Sequence, residues 1–590
     1  MTRLAYTLFV ATSFLGSALL AANSWSLTQP PAIPAPAAPN TKPMTAPQGV
    51  LEHKHDFPIA AGPFEPTWES IKRHYPGQPA WFKEAKFGVF VHWGPQASGR
   101  SGDWYARNLY REGSEAYRNH LKNFGHPSEV GYKDVLNAWK APKWNAAALT
   151  DAFAGAGMRF MMVVGVHHDN YDLWNSKYQP WNSVNVGPKQ DMIGAWAKEA
   201  RSHGMRFGIT FHHEYTWWWW VHAFHADTQG AKAGVPYDGG LTLADGQGKW
   251  WQGLDPRLLY TVDLREYDSL LKNQYAPVQG VFQDHAAYGI WYAEWWARRI
   301  QDAIEQYDPD MFYTDGNAPE PFSGLKSGTG LKSDAGRRVV AHFYNRSLAK
   351  HGRVDGIALI KFQDKNPAVG MTAEVGVPAN IKLDQPWIGE NPIGDWYWGP
   401  NYSYDTINLV RSLLEYTSRG GNYACAVPIT PEGDLEPACV VMLKEMGEWM
   451  KVNGAGIYGS TAWKTWGEGE PRPDPKRPNE PGRPLIHRGK LGKETAALPF
   501  TTSDFRFTQG PDGTIYAWCM TVPKPGETLR LRSLGRDAKL LTQPIASIAL
   551  LGGGAVRWEQ KTNALEITCP ATMPFQQAVG FAVKLGGGAK

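Results

Sequence analysis

Five apolar runs in this 590-residue chain stop abruptly at a residue that can do chemistry. FGVFVHW delivers His92, FMMVVGVHHD delivers His167 and His168, and FGITFHHE delivers His212, His213 and Glu214. MFYTDG delivers Asp315, and GMTAE delivers Glu374. Short continuous apolar runs read as strands buried on both faces, as in a parallel sheet covered by helices. Helical stripes lie between such runs. Ile193, Trp196, Ala197 and Ala200 repeat at helical spacing, Gly204 stops the pattern, and Phe207 opens a strand. Trp296, Ile300, Ile304 and Tyr307 repeat likewise, with Arg298, Arg299, Asp302 and Glu305 opposite and Pro309 ending the helix. Ile407, Val410 and Leu414 lead through Gly420-Gly421 to a strand at 423–427. Alternation over some 400 residues predicts an α/β chain with a (β/α)8-like TIM barrel across 64–464. In a barrel the strand ends gather at one mouth, so His92, His167, His168, Asp315 and Glu374 should share a pocket.

The flanks differ in composition. Arg3, the apolar stretch from Leu4 to Leu20 and Ala21-Ala22 predict a signal peptide over 1–22, with an uncleaved anchor as the alternative. The chain is then expected to be secreted or periplasmic, with no membrane contact after cleavage. A Pro/Ala-rich linker is expected over 23–63. The insert from Ala223 to Leu259, with Tyr237, Trp250 and Trp251, is long enough to lie over the mouth. A Pro-rich connector is expected over 465–497. Strand-like stretches at 515–522, 529–531, 545–551, 565–567 and 578–585 predict a C-terminal antiparallel β-sandwich over 498–590.

A formal charge of +4 with no dense basic run argues against a nucleic-acid partner. Tryptophan, at 27 residues, clusters near strand ends, where it suits stacking on sugar rings as well as core packing. The four cysteines, Cys425, Cys439, Cys519 and Cys569, fit no zinc spacing; a Cys519–Cys569 bridge and free thiols are both open. The histidine pairs lack the His-x-His or His-Glu-x-x-His patterns of hydrolytic zinc sites. Neutral imidazoles that bond sugar hydroxyls are the better reading, and no metal or cofactor is expected. On a regular strand only one histidine of each pair would face a given pocket.

Retaining glycoside hydrolysis needs two carboxyl groups about 5–5.5 Å apart, one ionised to attack and one protonated to donate. Asp315, fixed at a strand end, suits the first role. Glu374, among Met371, Ala373 and Val375, suits the second if those neighbours enclose it.

Longer motifs add a resemblance. WFKEAKFGVFVHWGPQASGRSGDWYARNLY (81–110), GVHHDNYDLWNS (165–176), NVGPKQDMIGAWAKEARSHGMRFGITF (185–211) and MFYTDG resemble, in order, motifs of the α-L-fucosidases of glycoside hydrolase family 29. AEVGVP, QPWIGENPIGDWYWG (385–399), SRGGNYACAVPITPEGDLE and MGEWMKVNGAGIYGS (446–460) continue the likeness, as do FRFTQGPDGTIYAW and IALLGG in the C-terminal region. The resemblance implies a retaining exo-glycosidase that releases L-fucose from a fucosylated oligo- or polysaccharide; the slightly basic balance and the aromatic insert at 223–259 would fit a large, sulfated polymer, and the N-terminal segment would have it exported. It implies Asp315 as nucleophile and Glu374 as acid/base, with His92, Asp103, Trp104, His167 and His168 holding the sugar. His212, Trp387 and Trp396 are further expected pocket residues. The chain departs from the family pattern at Val166, Asn170-Tyr171, Val375 and Ala426. The departures at Val166, Val375 and Ala426 keep open the alternative of a carbohydrate-binding pseudoenzyme of the same fold, and the histidine pairs keep open the less favoured one of a metal-dependent hydrolase. Linkage and oligomeric state are not legible in the sequence.

Overall fold

The computed structural model describes residues 51–265, 286–316, 331–361, 365–469 and 500–586. The expected signal peptide, linker residues 23–50 and connector residues 470–497 lie outside the described residues. Strand β1 (Leu51–His53) pairs in parallel with β6 (Leu331–Ser333), apart from the main sheet. The barrel strands are β2 (Phe87–Val91), β3 (Phe160–Val166), β4 (Arg206–Phe211), β5 (Met311–Thr314), β7 (Ile357–Ile360), β8 (Met371–Glu374), β9 (Trp387–Pro392) and β10 (Asn422–Ala426). Their order is β7-β5-β4-β3-β2-β10-β9-β8, parallel throughout. A parallel bridge from Leu359 to Gly370 joins β7 to β8 and closes the ring. The chain therefore forms the expected TIM-like barrel.

Burial explains the apolar runs. Every residue of β2, β3, β5, β7, β9 and β10 is buried, because one face fills the barrel and the other meets helices. The helix Met192–Ser202 shows the local logic: the Asp191 side chain accepts from Gly194 N–H at its N-terminus, and Met192, Ile193, Trp196, Ala197 and Ala200 are buried. Gly204, at φ 68°, takes the left-handed turn that leads into β4. Twelve of the 27 tryptophans are less than 2 % exposed, so much of the tryptophan serves packing.

Residues 51–63, expected as the end of a linker, are instead strapped to the helix Ala335–His351. Arg338 donates to the Phe57 carbonyl at 2.7 Å, and the Asn345 amide donates to the Ala60 and Phe64 carbonyls at 2.8 and 2.9 Å. The insert after β4 is bolted down by two buried carboxylates. Asp227 accepts from Tyr117 and Tyr237 and contacts His126, and Asp238 accepts from Tyr110, Tyr260 and Lys133. Tyr237 and Trp251 are thereby core, whereas Trp250 is 43 % exposed.

Beyond the barrel, β11 (Thr461–Glu468), β12 (Phe505–Gln509), β13 (Ile515–Cys519), β14 (Thr528–Leu531), β15 (Ile545–Leu550), β16 (Gly554–Ala555), β17 (Arg557–Gln560), β18 (Leu565–Thr568) and β19 (Val579–Leu585) form two antiparallel sheets. Their orders are β11-β12-β13-β19-β15-β16 and β14-β18-β17. Phe505, Phe507, Leu529, Ile548, Ile567 and Phe581 are among the side chains that fill the space between them. This module shares the barrel's core: Trp518 and Met520 belong to the barrel cluster, and the Trp449 indole donates to the Ala578 carbonyl at 3.0 Å. Glu415, on the helix Thr406–Ser418, pairs with Arg419 at 2.6 Å and with Arg506 of β12 at 2.5 Å, all three buried. All four cysteines are free and buried, so no Cys519–Cys569 bridge is formed.

Candidate active site

The strand ends converge as the polar terminations require. His92 follows β2, His167 and His168 follow β3, His212 follows β4, Asp315 follows β5, and Glu374 ends β8. Asp315 is held on two sides. His212 Nδ1–H donates to Oδ2 at 3.1 Å, and the Lys361 ammonium meets Oδ1 at 2.7 Å. The same ammonium meets Glu374 Oε2 at 2.8 Å. Lys361 therefore spans the two acids, and their nearest oxygens are no farther apart than the sum of those two distances. That bound falls at the roughly 5–5.5 Å spacing of a retaining pair.

Lys361 was not singled out from the sequence. It follows β7, whose residues Ile357–Ile360 form one more apolar run ending in a charge. The signal was present, but a cation does not fit a search for acids and imidazoles.

Burial pushes the Asp315 carboxyl up, yet the Lys361 charge and the His212 hydrogen bond outweigh it and hold the group well below the usual carboxylate range. Asp315 is therefore ionised at neutral pH. Glu374 differs from expectation: its side chain is 37 % exposed and in contact with an ammonium, so the expected apolar enclosure is absent. Val375, next in sequence, sits at φ 46°, a left-handed conformation that a β-branched residue adopts only under constraint. Its N–H is fixed by the Glu390 carbonyl at 2.9 Å, which ties down the backbone that carries Glu374.

The imidazoles are neutral. Burial lowers His92, His167 and His212, and takes His168 down to about 3. Hydrogen bonds assign their tautomers. His212 gives its Nδ1 proton to Asp315, so Nε2 accepts from Thr210 Oγ1 at 2.9 Å. His168 Nδ1–H donates to the His212 carbonyl, which leaves its Nε2 lone pair at the pocket, 3.7 Å from Asp315. The Gln96 amide donates to His167 Nδ1 at 2.7 Å, so Nε2–H faces Asp103 at 3.9 Å. Both ring nitrogens of His92 are buried and without a protein partner, the state of a group that waits for a ligand hydroxyl. Ligating atoms of His167, His168 and His212 lie within 4.8 Å of one another, so the three can converge on one polar ligand. The strand rule for histidine pairs holds after β4, where His213 packs against Trp296 at 5.9 Å. It fails after β3, because the chain turns at once and both rings enter the pocket.

Aromatic walls complete the site. Trp104, held at φ 63° with its N–H on the Asp103 carboxylate, lies 5.6 Å from His168 and 5.9 Å from Trp219. Trp396 lies 5.1 Å from His92. Trp218 and Trp219, from the Trp217–Trp220 run after β4, were missed although four consecutive tryptophans is itself a signal. Trp387 needs correction: it begins β9, is 1 % exposed and donates to the Lys382 carbonyl at 3.1 Å. Its register partner is Met371, the first residue of β8, so the strand carries it to the opposite end of the barrel from Glu374. A Cβ at Gly316, after Asp315, would meet the Glu214 carboxylate at 1.8 Å, so any side chain there would displace Glu214.

With this geometry in view, comparisons with known proteins agree with the motifs. The alpha-L-fucosidase family model matches residues 53–455. The plasma alpha-L-fucosidase of Pongo abelii is 25% identical over 498 residues, covering 82% of this chain and 90% of that one. The human plasma alpha-L-fucosidase is 24% identical over 502 residues, covering 82% and 89%. Among solved structures, an alpha-fucosidase of Thermotoga maritima superposes with a TM-score of 0.59 at 20% identity, over 88% of this chain and 100% of that one, and so shares the fold.

Proposed function

Since the chain belongs to the alpha-L-fucosidase family and is a glycoside hydrolase, we propose that it releases terminal L-fucose with retention of configuration, by double displacement. Asp315, ionised and strand-fixed, attacks the anomeric carbon as Glu374 gives its proton to the departing oxygen. The carbon–oxygen bond to the aglycone breaks and a fucosyl ester on Asp315 forms. Glu374 then takes a proton from water, the water oxygen bonds to the same carbon, and Asp315 leaves as a carboxylate.

One observation carries the reading: a single ammonium within hydrogen-bond reach of both acids, at 2.7 and 2.8 Å. His92, His167 and His168 serve the sugar hydroxyls as neutral donors and acceptors, and Trp104 and Trp396 bound the ring. Export, carried by the apolar stretch from Leu4 to Leu20, and a fucosylated or sulfated polysaccharide as natural substrate belong to the same proposal.

The test is turnover of an aryl α-L-fucoside with product configuration followed by NMR. α-L-Fucose as first product and loss of turnover in Asp315→Ala support the mechanism. An inverted first product, or wild-type rates in Asp315→Ala, refutes it. L-Fucose binding by calorimetry without turnover would favour a carbohydrate-binding role instead. Amino-terminal sequencing of the mature chain tests export.

A further inference from the structure

A third carboxyl group stands beside the pair. Glu390 lies on β9, in register with Glu374 of β8, and is 1 % exposed. The Tyr313 phenol, from β5, donates to its Oε1 at 3.4 Å, which directs the side chain into the barrel interior. Its Oε2 is buried with no hydrogen-bond partner. The charged groups around it are Lys361 beyond β7, Asp315 beyond β5 and Glu374 on β8. The Thr372 hydroxyl of β8 lies beside it, and Tyr416, from the helix behind β9, is a further titratable neighbour. Its register partner on β10, Ala424, does not titrate.

Three acids thus act on one ammonium, two by contact and Glu390 through its charge. If all three were ionised, Lys361 would be drawn toward the most deeply buried charge and away from the pair at the mouth. We propose that Glu390 is a positioning residue whose neutral form keeps the Lys361 ammonium committed to Asp315 and Glu374. This inference rests on the fucosidase reading above and adds to it a residue that touches no substrate. Burial and the two neighbouring carboxylates push the Glu390 carboxyl up to about 8, against the pull of Lys361, so the neutral form prevails at neutral pH. Loss of that proton frees a competing carboxylate beside the site.

The test compares the pH dependence of kcat/KM for an aryl α-L-fucoside in wild type, Glu390→Gln and Glu390→Met. Wild type should lose activity as pH rises through about 8. Both variants, permanently neutral, should stay within about threefold of wild type near neutrality and fall at a pH higher by about one unit or more. An alkaline limb that does not move overturns the inference. So does failure of both variants to fold, because they mimic the form proposed to work. If wild type proves to have no turnover, the function is wrong but the inference remains testable by thermal unfolding at several pH values. The stability gap in favour of Glu390→Gln should widen as pH rises to about 8, and a constant gap overturns the inference.

Discussion

Replacing Lys361 with methionine removes the one positive charge among the described residues that contacts both acids, and the effect on Asp315 can be worked out. Both partners are 12 % exposed at the side chain, so solvent screens the pair only partly. With about 4 Å between charge centres and an effective dielectric near 20, the attraction is about 4 kcal/mol. At about 1.4 kcal/mol per pKa unit, its loss raises the Asp315 carboxyl by about 3 units. A nucleophile that stays ionised well below the usual carboxylate range would instead begin to take up a proton within that range, and activity would fall there. The assay is kcat/KM against pH, which reports the free enzyme. Lys361→Met should show an acid limb that wild type lacks, while Lys361→Arg, which keeps the charge, should not. If the acid limb of Lys361→Met coincides with that of wild type, Lys361 does not set the charge on Asp315. Thermal unfolding of the same variant checks that the fold survives two acids left without their shared cation.

Three further outcomes are expected. Val375→Gly should relieve the left-handed backbone and stabilise the chain by about 1 kcal/mol in urea unfolding, while kcat falls because Glu374 is held less firmly. Glu415→Ala strands Arg419 and Arg506 without their buried carboxylate and should cost about 3–5 kcal/mol of stability by denaturant melt. The pocket histidines, neutral when folded, would take up protons near 6.5 when unfolded, so stability should fall as pH drops below that value; Glu390, with a folded value near 8 against 4.5 unfolded, acts oppositely and weakens the fold as pH rises between them. A urea midpoint that is flat from acid to alkaline pH would contradict both signs.

The barrel was legible because its strands are apolar throughout and stop at polar residues, a pattern that parallel sheets impose and few other folds do. The positions of His92, His167, His168, His212, Asp315 and Glu374 follow from that rule, which required only that strands end at one mouth. Trp387 shows where the rule was not applied: it sits near Trp396 in sequence, but it opens a strand, and a strand separates its two ends by about 3.3 Å per residue. Lys361 and Glu390 were overlooked for different reasons. Lys361 follows the same strand rule, whereas Glu390 lies inside a strand, and only the register with Glu374 places it beside the site. The surroundings of Glu374 were misread because apolar neighbours in sequence alternate across a strand and need not enclose the residue between them. The packing of residues 51–63 is carried by backbone carbonyls that accept from Arg338 and Asn345, and no side-chain pattern announces such contacts.

The contact between Trp449 and Ala578 bears on how the chain matures during synthesis. The helix Pro437–Asn453, which flanks the barrel, meets its partner only when a residue 129 positions beyond Trp449 has been made. A ribosome would thus carry an unfinished barrel, with one outer wall still wet, until that later stretch has emerged.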